Sequence, residues 1–117
     1  MTQKEINING KTYPVIFTLA TLSNFEEIAK IAFFNADLGM VKNRIALICA
    51  AAIAADENTK LTVEDLRGKE TWEDYVQIAT AYTVVMELAA TFFHAPEIEK
   101  GNEEEQPAEE GYEKPKN

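Results

Sequence analysis

Residues 71–96 constrain this chain more than any other stretch, because they read as one long apolar helix with a marked start and a marked stop. Thr71 offers an N-cap hydroxyl, Glu73 and Asp74 suit the positive end of the helix dipole, and His94 suits the negative end. Pro96 then ends the run. Between these signals, apolar side chains cover more than one face. Tyr75, Ile78, Ala79, Tyr82, Met86, Ala89 and Phe93 recur at helical spacing and form one stripe fit for a core. Val76, Val84, Val85, Leu88 and Phe92 are left over. A small domain must wrap such a helix on most sides, or leave a face for self-association or a client. On the second reading Val84, Leu88 and Phe92 are the candidate partner-binding residues. A bilayer span is the third fate to weigh, since the stretch from Tyr75 to Phe93 is long enough. Gln77, Glu87 and several threonines interrupt it, and an acid at bilayer depth is costly. A buried or interface helix is therefore expected, and no membrane partner.

Residues 4–17 have a different period. Ile6 and Ile8 alternate with Glu5 and Asn7, and Tyr13, Val15 and Phe17 alternate on a return strand. Asn9-Gly10 supplies the two positive-φ positions of a type I′ turn, so the segment reads as a β-hairpin. Pro14 has no N–H and must take a non-pairing or edge position. An isolated hairpin is marginal in water, so this one must lie on helices or pair with another strand.

A first helix is expected from about Thr18 or Thr21 to Phe34. Ser23-Asn24-Phe25-Glu26 has the form of a capping box, and a start at Thr18 adds Leu19 to the stripe. Leu22, Phe25, Ile28, Ala29, Ala32 and Phe33 give its apolar face. A second helix, roughly Met40 to Ala55, ends in the alanine-rich run around Cys49, whose small side chains let a neighbour approach closely. Thr62-Val63-Glu64-Asp65 opens a short helical turn that Gly68 can close. The fold class is therefore mainly α (α+β): an N-terminal β-hairpin packed on three long helices and one short one, all within residues 1–96.

Charge separates the remainder. The chain of 117 residues carries 20 acids against 11 bases, a net −9. Residues 97–117 hold eight of the acids and three lysines, so −5 lies there and −4 in the rest. With Ile98 and Tyr112 as their two large apolar side chains, these residues cannot bury enough to offset ordering, and a disordered acidic tail is expected. Such a tail either solubilises or binds a basic client, with Tyr112 as a candidate anchor. Phosphate backbones and anionic lipid repel a chain of this charge, so nucleic acid is not an expected partner.

Signatures of catalysis are scarce. His94 is the single histidine, which rules out histidine-based metal clusters within one chain. Cys49 is the single cysteine, allows no internal disulfide, and sits in an apolar stripe where an inert thiol is the default. No P-loop, GxGxxG, GxSxG or CxxC pattern occurs. The acid pairs Glu26-Glu27, Asp56-Glu57, Glu64-Asp65 and Glu73-Asp74 fall at helix starts, solvated faces or a loop, where capping is the ordinary role. The expectation is a non-enzymatic protein with no catalytic residues, no metal and no cofactor. The N-terminus, MTQKEININGKTY, has no apolar signal core, so a cytoplasmic location is expected.

The hairpin Ile8-Asn9-Gly10-Lys11-Thr12-Tyr13, the strand end Val15-Ile16-Phe17 and the amphipathic stretch Leu22 to Ile31 resemble the opening of small phage tail assembly chaperones. The helical remainder and acidic C-terminal segment resemble that family in layout. The resemblance implies a factor of the infected host cytoplasm that coats the tape measure protein, helps recruit tail tube subunits and does not remain in the virion. It also implies a second, longer product made by programmed frameshifting near the 3′ end of the gene. Self-association fits the same reading. An acidic inhibitor that mimics nucleic acid, and a small structural adaptor of a phage particle, are the alternatives.

Overall fold

The computed structural model describes residues 2–67 and 71–94. The expected acidic tail, with Tyr112, and Gly68 lie outside these residues. The element order is β1 (Lys4–Ile8), β2 (Lys11–Val15), α1 (Leu19–Ala29), a single 3-10 turn (Phe33–Asn35), α2 (Val41–Ala55), α3 (Val63–Leu66) and α4 (Trp72–His94). This is the α+β arrangement read from the sequence.

β1 and β2 pair antiparallel around Asn9-Gly10, whose φ angles of 54° and 84° are those of a type I′ turn. Ile8 faces Lys11 across the turn, Ile6 faces Tyr13 and Glu5 faces Pro14. Hydrogen-bonded and non-hydrogen-bonded pairs alternate away from a two-residue turn, so Pro14 occupies a non-bonded position. Its missing N–H faces outward and removes a donor from the free edge of the hairpin. Ile6, Ile8 and Val15 are buried together on the inner face.

α1 starts at Thr18, not at Ser23. The Thr18 hydroxyl accepts from the Ala20 N–H, and the Thr21 hydroxyl accepts from the Thr18 N–H. The helix ends at Ala29 rather than Phe34, because Lys30 turns into the left-handed region at φ 63°. That turn brings Phe33 back against Phe25 and Phe17, with Glu26 Oε2 accepting from the Phe33 N–H at 3.3 Å. The tertiary contact here outweighs the local preference to continue the helix.

α2 is the axis of the domain. Every residue from Ile45 to Ala52 is buried, and the helix packs against α1, α4, β2 and α3. Alanine leaves its backbone uncovered, and neighbours use it: the Ile16 N–H donates to the Ala51 carbonyl at 3.3 Å, and Asn24 Nδ2 donates to the Ala50 carbonyl at 3.3 Å. The helix wrapped on all sides is therefore the alanine-rich one, whereas α4 lies against it and against β1 with one face. Two side-chain links tie α4 to the hairpin. Lys4 Nζ meets Glu87 Oε1 at 3.1 Å, and Gln77 both accepts from the Asn9 N–H at 2.6 Å and donates to Asn9 Oδ1 at 3.3 Å.

Candidate functional site

The buried face of α4 is made by Ile78, Ala81, Val85, Leu88 and Ala89. This corrects the sequence expectation for Leu88. At 3% exposure it is a core side chain, not a free contact, because β1 docks its isoleucines on α4 and moves the buried stripe round the helix. Val84 and Phe92 are half-buried against the core, with the Phe92 ring centroid 5.4 Å from that of Phe17. Tyr75 and Phe93, read as core, stand 39% and 40% exposed. Tyr112 lies outside the described residues.

What the sequence does not reveal is that all six phenylalanines come together. Phe17 leaves β2, Phe25 sits in α1, Phe33 and Phe34 form the 3-10 turn, and Phe92 and Phe93 close α4. Their centroids are linked in one chain of contacts, including Phe25–Phe33 at 5.5 Å, Phe17–Phe93 at 5.6 Å and Phe34–Phe93 at 5.8 Å. Phe25 is fully buried and Phe34 is 76% exposed, so the cluster runs from the core to the surface. An exposed aromatic pair braced by a rigid aromatic base is the kind of anchor that protein interfaces use. Periodicity assigns Phe34 to a helix end and gives no hint of this; only the turn at Lys30 brings Phe33 and Phe34 to Phe93.

A second surface lies at the other end of α4. Trp72 is 71% exposed and stacks on Tyr75 at 5.3 Å. Beside them a groove of about 310 Å³ runs between the start of α2, the end of α3 and the start of α4, lined by Ile45, Leu66, Tyr75 and Ile78. Lys42 and Arg67 border it, and they also border an adjoining groove of about 410 Å³ that reaches Ile28 and Ala29 of α1. Among the described residues no side chain caps the N-terminus of α2 at Met40, and no acid occupies its first turn.

Comparison of the chain with protein-family models, curated proteins and solved structures finds no match.

The acid pairs are drawn into local structure. Asp65 accepts from the Thr62 N–H and caps α3, Asp74 does the same with Thr71 at α4, and Asp56 accepts from the Asn58 N–H. Among the described residues no three histidine, cysteine, aspartate or glutamate side chains converge as a metal site. Cys49 is 1% exposed, and burial, with the nearby charge of Asp65, pushes its thiol from the ordinary 9.0 up to about 12. A thiol so raised is a poor nucleophile near neutral pH. α4 has the length and composition to cross a membrane. Its Leu88 side is packed on α2 and β1, and its other side presents Thr80, Thr83 and Glu87.

Proposed function

We propose that this protein is a non-enzymatic phage tail assembly chaperone that shields an apolar helical client, the tape measure protein, and helps bring tail tube subunits to it. The observation that carries the reading is the phenylalanine cluster, which presents Phe34 and Phe93 to solvent while its base is locked in the core. A client helix that lays apolar side chains over this pair removes both surfaces from water. The reading also rests on the likeness of the hairpin and first helix to that family. The excess of acids suits a factor that must keep an aggregation-prone complex in solution.

Coexpression tests it. A long helical tape-measure client should stay soluble with this protein, and the complex should lose little affinity as salt rises. Phe34→Ala and Phe93→Ala should each weaken the complex by about thirty-fold, the effect of a hot-spot side chain worth about 2 kcal/mol. A complex that falls apart in moderate salt and ignores both substitutions would favour the acidic inhibitor instead, for which the net charge of −9 is the specific support.

A further inference from the structure

The groove between α2, α3 and α4 combines features that the client reading does not use. Its floor is apolar, from Ile45, Tyr75 and Ile78, and its border carries two cations, Lys42 and Arg67. The Lys42 side chain makes no hydrogen bond or ion pair among the described residues. Among the described residues the Arg67 side chain has only an exposed contact with Glu64 at 3.5 Å, a pair that an incoming carboxylate can replace at little cost. The uncapped start of α2 adds positive potential at the same place. The occupant that fits is a short acidic peptide carrying one aromatic side chain.

This chain contains such a peptide. Glu109-Glu110-Gly111-Tyr112-Glu113 places three carboxylates around the last aromatic residue of the sequence. We propose that this segment docks in the groove of its own chain, with Tyr112 on the apolar floor beside Tyr75 and the flanking glutamates on Lys42 and Arg67. The tether permits it. α4 spans about 34 Å at the helical rise per residue, while the 18 positions from His94 to Tyr112 can extend to about 60 Å. If that linker behaved as a random coil, its root-mean-square span would be about 24 Å and the local concentration on the order of millimolar. A separate acidic peptide must reach that concentration to compete, so the covalently attached one has the advantage. The inference is independent of the phenylalanine face and stands or falls without it.

The full chain provides its own probe. Ala108→Cys introduces one reactive thiol, since Cys49 is buried, and a nitroxide attached there broadens amide signals nearby. In dilute ¹⁵N-labelled protein, the amides of Lys42, Arg67 and Tyr75 should lose more than half their intensity. Tyr112→Ala, which alters no residue of the described fold, should restore most of it, and so should Lys42→Glu combined with Arg67→Glu. Broadening confined to residues near His94, or unchanged by Tyr112→Ala, overturns the proposal. So does broadening that appears only when spin-labelled unenriched protein is mixed with unlabelled ¹⁵N protein, because the occupant is then a second copy.

Discussion

The Thr21 hydroxyl donates to the carbonyl of Ile16 at 2.9 Å, so one buried side chain joins the exit of the hairpin to the first turn of α1. The same oxygen accepts from the Thr18 N–H at 3.0 Å. Thr21→Val keeps the shape and strands both backbone groups. It should cost about 2 kcal/mol, whereas Thr21→Ser, which keeps the hydroxyl, should cost about half as much. Urea denaturation of the two variants checks the order.

Leu88 and Phe34 should respond in opposite ways. Leu88→Ala opens a cavity between α4, α2 and β1 and should cost about 2–5 kcal/mol, while Phe34→Ala removes a mostly exposed ring and should shift stability by about 0.5 kcal/mol. Leu88→Lys should fail to fold. Thermal unfolding of the Ala variants, followed by circular dichroism, distinguishes core from surface directly.

The hairpin was legible in the sequence because its signal is local: alternation and Asn9-Gly10 name the strands, the turn and the register together. α2, α3 and α4 were legible for the same reason, since Thr62, Thr71 and Pro96 are chain-local marks. The capping residue of α1 was ambiguous, because Thr18 and Ser23 both precede acceptable third positions. Only the bond from Thr21 to Ile16 selects the first. Leu88 was misplaced because periodicity gives the width of an apolar surface but not its phase. Two partners approach α4 from different directions, and their directions come from the hairpin and α2. The six-phenylalanine cluster was invisible for a related reason, as its members sit at four separate places along the chain.

Gly10 holds φ +84°, and a Cβ built there meets nothing within 4 Å. Replacement by alanine therefore strains the backbone without any clash. Gly10→Ala should lower stability by about 1–2 kcal/mol, and D-alanine at the same position, introduced by chemical synthesis, should not. A calorimetric comparison of the three proteins checks this.

Cys49 predicts a pH dependence of known sign. Its thiol ionises near 9.0 when unfolded and near 12 when folded, so above pH 9 the unfolded chain releases a proton that the folded chain keeps. The stability tied to this group is full below pH 9 and should fall by about 1.4 kcal/mol per pH unit from there towards pH 12. Cys49→Ala should remove that slope and leave the contributions of other groups in place. Parallel urea titrations of both proteins at pH 8.5, 9.5 and 10.5 measure the difference.

The contact between Lys4 and Glu87 joins positions 83 apart, and Asn9 meets Gln77 across 68. Closing a loop of the larger size costs about 4 kcal/mol in chain entropy, beyond a length-independent constant. The hairpin, α1 and α2 meet their neighbours over shorter separations and can assemble without incurring it. α4 packs on both α2 and β1, so the loop-closure cost predicts its docking as the late step of folding and its release as the first step of opening. In the interval before that step, the alanine-lined flank of α2 and the isoleucine face of the hairpin are both bare, and a chain halted there is itself a sticky body in need of cover.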